Sequence, residues 1–253
     1  MKISIIIPTF NSSKTIESNI RSIVYQNFKN YEVIVVDNQS NDNTIKIIKN
    51  SSLMNVKFII EKDFGVYDAI NKGIKQSNGE VISLLHSDDI YYDEKVLSKV
   101  ENAFSSNNTS IVYGDLVYVK KNNLSTILRY WRSNSFNSGN FLKGWHPPHP
   151  SFFVKKKLFN KFGFYKIDIG NAADVELMYR FLQLYKINSI HINSILVKMR
   201  YGGQSNKKLI TIIKQNFQIV RFLGINHNYY KMFLFFMYKL TNRLKQFYAR
   251  PKF

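Results

Sequence analysis

The sequence predicts an α/β protein built on a mostly parallel, doubly wound sheet, and three observations carry that expectation. Four apolar runs of strand length alternate with three segments of helical periodicity before residue 90, the rhythm of repeated β–α units. Each run ends in a polar turn. The 253 residues are 45% hydrophobic and 15% aromatic, enough for one large or two small cores and unlike a disordered chain.

Ile3–Ile7 is the first apolar run, stopped by Pro8 and the polar loop 9–13. Ile16, Ile20, Ile23 and Val24 recur at helical spacing, so a helix is expected over 14–26. Tyr31–Val36 reads as a second strand, 37–42 as a polar turn, 43–50 as a helix and Val56–Ile60 as a third strand. A helix from Tyr67 to Gln76 follows Asp63-Phe64-Gly65, and Asn78-Gly79 turns the chain into a fourth strand. After a helix over 93–104 the rhythm changes. Ile111–Tyr113, Leu116–Lys121 and Thr126–Tyr130 read as short strands of a more antiparallel kind. The irregular loop 134–150 leads to a strand at 151–154, helices near 155–162 and 173–185, strand Ile195–Met199 and the turn 201–205. With no repeat and no linker before residue 205, one domain is expected over 1–205 and a basic helical region over 206–253.

Charge is distributed unevenly. Residues 1–115 are close to neutral, whereas 177–253 hold 14 Lys and Arg and no acid, within a total of +19. That pattern suggests a domain whose far end meets an anionic partner such as a membrane face, a polyphosphate or a nucleic acid. Cysteine is absent, which excludes disulfides and thiolate metal sites. Neither a signal peptide nor a spanning helix is legible, so a cytoplasmic protein is expected.

The fourth strand is the most informative stretch. Val81, Ile82, Leu84 and Leu85 suit a buried strand, which then stops at His86-Ser87-Asp88-Asp89. Adjacent carboxylates repel, and ligands of open α/β sheets bind at the carboxyl ends of strands. A metal–diphosphate site and a cap for the helix near Asp93 explain the pair about equally. No glycine-rich dinucleotide fingerprint and no P-loop motif is present. Phosphates would then rely on another cradle, commonly a metal held by carboxylates.

Taken in register, Ile3–Asn11, Val35-Val36-Asp37, the stretch Asp63–Gly73 and Ser87-Asp88-Asp89 resemble the family 2 glycosyltransferases. These are inverting enzymes of the GT-A fold that use nucleotide-sugar donors. The resemblance covers roughly residues 2–205 and implies a GT-A-like, single Rossmann-like nucleotide-sugar-binding domain followed by C-terminal amphipathic helices. His146–Phe153, Ala173–Glu176 and Arg200–Ser205 look like the branch that builds bacterial surface polysaccharides such as O-antigen or capsule.

The resemblance assigns donor contacts to Pro8, Phe10, Asp37, Asp68, Lys72, Ser87, Asp88 and Arg200. Phe10 would stack on a base or fill the core under its loop. Asp37 would bind the nucleoside or close an Asx turn. Asp68 and Lys72, four apart, would face the donor or form a surface ion pair. Asp88 corresponds to the acid that binds Mn²⁺ or Mg²⁺, but the family's first Asp is replaced by His86, which would favour Mn²⁺ if it ligates. Arg200 would neutralise diphosphate directly.

Inverting transfer also needs a carboxylate base. Only Asp168, Asp174 and Glu176 follow residue 115, and the resemblance aligns Asp174 with the base, leaving Glu176 as its competitor. His149 and Asp89 are secondary candidates, and Gly202–Ser205 would form a flap. The basic helices after 206 are expected on an anionic inner membrane face, with a lipid-linked oligosaccharide as acceptor. Competing readings are a basic nucleic-acid-binding module and a catalytically inactive scaffold.

Overall fold

The computed structural model describes residues 1–106, 108–202 and 209–249. The first half follows its apolar pattern: β1 (Ile3–Thr9), α1 (Ile16–Val24), β2 (Tyr31–Asp37), α2 (Thr44–Lys49), β3 (Val56–Ile60), α3 (Val66–Gln76) and β4 (Val81–Leu84). Strands β3, β2, β1 and β4 lie side by side and are all parallel. Alternation along β1 sorts its side chains between two layers. Ile6 packs with Ile70 and Ile74 of α3, whereas Ile3, Ile5 and Ile7 pack with Ile16, Ile20 and Ile23 of α1. β1 and β2 are buried along their whole length, as parallel strands covered on both faces must be.

Pro8 sits inside β1, opposite Val36 of β2. Its other side lies past the end of β4, since the last bond there runs from Leu85 N to Ile6 O at 3.1 Å. A residue without an amide proton is therefore tolerated where no neighbouring strand needs one.

The second half continues the sheet through β5 (Ile90–Tyr91), α4 (Val96–Ser106), β6 (Ile111–Lys120), β7 (Asn123–Trp131), β8 (Phe152–Lys155), α5 (Lys157–Phe162), α6 (Ala173–Tyr179) and β9 (Ser189–Arg200). Among the described residues the order is β3-β2-β1-β4-β8-β6-β9-β5, with β7 also on β6. The two strands expected at 111–113 and 116–121 are one, whose register against β9 shifts around Gly114 and Asp115. β9 pairs parallel to β6 and is longer than its apolar centre suggests. The helix expected over 173–185 is α6 followed by a π-helical turn at Arg180–Leu184.

α7 (Leu209–Phe222) and α8 (Tyr229–Tyr248) close the chain. Ile219, Val220, Leu223 and Phe235 are buried in the same core as β1 and α3. No helix among the described residues is long and apolar enough to cross a membrane. The division expected at 205/206 and the flap residues 203–205 lie outside the described residues.

Candidate active site

The site is organised by the turn that ends β4. Asp89 N donates to His86 O at 2.9 Å, closing the turn. Asn19, fully buried on α1, grips it from one side, its amide donating to His86 O and Asp89 O, both at 2.8 Å. Arg200 grips it from the other: its guanidinium donates to Asp88 O, to Ser18 Oγ at 2.8 Å and to Lys121 O at 3.3 Å. Three of the five N–H groups of Arg200 are thus used within the chain. Ser87 Oγ lies 2.8 Å from Ser12 Oγ, joining the turn to the loop after β1.

The two acids of the turn have different surroundings. Asp89 is wholly buried with neither carboxyl oxygen hydrogen-bonded. Burial first, and Asp88 second, push its pKa well above the ordinary carboxylate value, so it is held as a neutral acid rather than offered as a ligand. Asp88 is half-buried, and its carboxylate makes no hydrogen bond or ion pair among the described residues. No group of three His, Cys, Asp or Glu side chains that could hold a metal occurs among the described residues. The single open carboxylate fits a cation completed by waters and ligand phosphates rather than a dedicated protein cage.

On the donor side, Phe10 is 51% exposed at the end of β1, so it is available to stack and does not fill the core. Asp37 is fully buried and already accepts from Thr9 Oγ1 at 2.8 Å, Ser40 N at 2.7 Å and Ser40 Oγ at 2.6 Å. It closes the Asx turn after β2. Lys72 pairs with Glu61 at 3.0 Å and Asp68 at 3.3 Å, and Asp68 also accepts from Phe64 N at 3.0 Å. These two brace the loop before α3 as an ion pair, the second of the readings their spacing allowed.

Asp174 lies half-buried at the start of α6, one of its oxygens accepting from Val175 N at 2.7 Å. Burial raises its pKa, opposed by His146, the Val175 amide and Lys239. Tyr67 of α3 lies against it, its phenol held well above the ordinary value by burial and then by the Asp174 charge. His86 feels the charges of both Asp88 and Asp174, though burial dominates and lowers its pKa. His86 is therefore within electrostatic reach of both the acid ending the fourth strand and the acid opening α6, and the space beside it is the candidate site.

His149 forms its wall: Nε2 is 3.0 Å from Tyr165 Oη, and its ring is 6.0 Å from that of His86. Burial, with His86 adding to it, pushes His149 down to about 3. His146 packs edge-on to Trp131 at 5.1 Å and is lowered to about 4, mainly by burial and then by Lys239.

Glu176 is not in this space. It is buried and paired with Arg180 at 3.0 Å and Lys166 at 2.8 Å. Arg180 in turn donates to the carbonyls of Phe162, Gly163 and Phe164. The candidacy of Glu176 as base is thus corrected, since its carboxylate is committed to Arg180. Sequence reasoning missed Asn19, Tyr67, Tyr165 and Lys239. Of these only Asn19 left a trace, as a polar residue beside the apolar stripe of α1. A groove of about 710 Å³ between α1 and α2, lined by Glu17, Arg21, Tyr25 and Lys46 among others, contains none of the site residues.

The mostly parallel sheet with its covering helices has the GT-A fold of solved glycosyltransferase structures. Staphylococcus aureus TarS 1–349 in complex with UDP-GlcNAc superposes with a TM-score of 0.67 at 17% identity, covering 97% of this chain and 73% of that one. The mannosyltransferase PcManGT of Pyrobaculum calidifontis, in complex with GDP-Man and Mn²⁺, gives 0.62 at 17% identity over 88% of this chain and 63% of that one. A sequence profile of Glycosyl transferase family 2 matches residues 4–165, and the chain belongs to that family. An uncharacterised glycosyltransferase of Rickettsia conorii is 30% identical over 83% of this chain, which spans only 35% of that protein's length. A PGL/p-HBAD biosynthesis glycosyltransferase of Mycobacterium tuberculosis is 27% identical, covering 85% of this chain and 81% of its own length.

Proposed function

We propose that this chain is an inverting glycosyltransferase that moves one sugar from a nucleotide diphosphate donor, UDP-linked by preference, onto a lipid-linked oligosaccharide of a surface polysaccharide. The observation that supports the reading is that Asp88 and Asp174 both act electrostatically on His86. Asp174 takes the proton of the acceptor hydroxyl as that oxygen attacks the anomeric carbon. The bond from that carbon to the diphosphate breaks on the opposite face, and the diphosphate leaves with its electron pair. A base raised by burial is better matched to this task at neutral pH than an exposed aspartate. Asp88 would hold Mn²⁺ or Mg²⁺, which when bound offsets charge on the leaving group. Arg200 and Asn19 fix the turn that aims Asp88, Phe10 stacks on the base, and Tyr67 and His149 shape the sugar pocket.

Membrane association on an anionic inner leaflet belongs to the same reading. Support comes from α8, whose outward Phe233, Met237, Leu240 and Leu244 are 44–61% exposed and recur at helical spacing. Lys231 and Lys245 lie on the same helix and are also exposed. An apolar stripe with basic residues nearby is what a headgroup interface accepts.

A thermal-shift panel of UDP-, GDP- and dTDP-sugars with and without Mn²⁺ tests the proposal. One donor is expected to raise the midpoint only with metal, Asp88→Asn to abolish that rise, and Asp174→Asn to keep the rise while losing turnover. Full turnover by Asp174→Asn, or no response to any donor, would overturn it.

A further inference from the structure

α8 anchors to the domain through Met232, Phe235 and Phe236, places polar side chains among them, and turns a second apolar stripe away. Opposite the exposed stripe, Phe235 is buried and Lys239 Nζ donates to Asn216 Oδ1 of α7 at 2.7 Å. Asn242 donates to Lys143 O at 3.2 Å, and Gln246 accepts from Arg129 Nε at 2.7 Å. Gly144 allows the close seating: its φ is +63°, and a Cβ there would lie 2.9 Å from Lys239 Cβ. Two residues on is His146, and Gln215, beside Asn216, donates to Asn171 O at 2.7 Å, three residues before Asp174. The inner face of α8 is thereby seated beside the catalytic acid.

Three cations converge on this face. Lys239 and Arg243 are one turn apart on α8. Arg129 arrives from β7, its guanidinium 4.2 Å from the centre of the Tyr118 ring and 5.8 Å from that of Phe247. Arg243 is half-buried and has no hydrogen bond or ion pair among the described residues. The sequence offers no acid after Glu176 to compensate them. Lys239 is held down at about 8, first by burial and also by Arg243, with Asp174 the acid that opposes this. Burial likewise lowers Arg129, with Arg243 adding to it. Like charges gathered where water is scarce repel unless an anion joins them.

We propose that Lys239, Arg243 and Arg129 form a phosphate-binding site beside Asp174 that takes the phosphoryl group of the acceptor and is distinct from the donor's diphosphate site at the end of β4. Its assignment to the acceptor rests on the glycosyltransferase reading, although the site itself does not.

Titration calorimetry of the full chain with geranyl diphosphate tests this, with geranyl alcohol and UDP as controls. One equivalent is expected to bind, and to bind equally well with UDP present or with Asp88→Asn. Arg243→Gln and Lys239→Gln should each weaken binding about tenfold or more, the worth of one charge-assisted hydrogen bond. Arg243 has no hydrogen-bond or ion-pair partner to lose among the described residues, so its variant is expected to keep the wild-type thermal midpoint and carries the test even where Lys239→Gln fails to fold. Wild-type affinity in Arg243→Gln, displacement by UDP, or equal binding of geranyl alcohol would each overturn the site. Binding with the expected dependence in a chain that responds to no sugar nucleotide would leave this site standing and refute the glycosyltransferase reading alone.

Discussion

Glu176→Gln tests which acid of α6 is structural and which is the proposed base. The wild-type carboxylate is 6% exposed and meets Arg180 at 3.0 Å and Lys166 at 2.8 Å, while Arg180 also donates to three backbone carbonyls. The glutamine keeps the shape but removes the charge, leaving the Arg180 cation buried among neutral acceptors. Breaking a buried pair from one side costs about 3–5 kcal/mol. In a chain of this size each kcal/mol moves the midpoint by about 2–4 °C, so a fall on the order of 10 °C is expected. Thermal and urea unfolding measure that loss, and turnover of the responding sugar nucleotide, assayed well below the midpoint, is expected to remain within a few-fold of wild type. Asp174→Asn should behave in the opposite way, folding normally and losing turnover. A Glu176→Gln protein destabilised by less than about 1 kcal/mol yet catalytically dead would refute the assignment and make Glu176 the base.

Stability should also fall in acid through the buried histidines. His149 is held at about 3, so below its ordinary value near 6.5 the unfolded chain takes up a proton that the folded chain refuses, and stability is lost as pH drops from about 6.5 toward 3. By pH 5 that amounts to roughly 2 kcal/mol. Urea titrations of His149→Leu should show an acid slope shallower by that amount, and an unchanged slope would contradict the burial argument. Asn19→Leu strands two buried carbonyls at the strand-end turn, costing about 2–4 kcal/mol in unfolding experiments. It should also blunt the metal-dependent donor shift, and a full shift would show that the turn needs no such brace. Leu240→Glu with Leu244→Glu is expected to cut cosedimentation with anionic vesicles at least about tenfold without lowering the midpoint. Undiminished sedimentation would remove α8 from the interface.

The parallel half of the fold was legible because its signal is local: Ile3–Ile7 and Tyr31–Val36 are continuous apolar runs, and the helices between them repeat at 3.6 residues. The register shift at Gly114 and Asp115 hid the continuity of β6, since Gly and Asp together look like a turn. Asp88 and Asp174 are legible as candidates through motif order, and both act electrostatically on His86. What could not be read was which charges are internally satisfied. Arg200 is engaged by Lys121 and Ser18, and Glu176 by Arg180 and Lys166. Those pairings depend on how distant elements meet, and nothing in the immediate sequence marks them. The amphipathic period of α8 was equally visible, but periodicity does not say which face turns inward.

Pro8 has a further consequence. Because it offers no hydrogen to the adjacent edge, the neighbouring segment forgoes one bond by running on alongside it, and it peels away after Leu85. A residue bearing an amide there would add one rung of ladder, favouring His86 and Ser87 in regular strand and moving Asp88 with them. The point where the strand gives way to the turn carrying Asp88 is thus marked by a bond that the ring of one imino acid forbids.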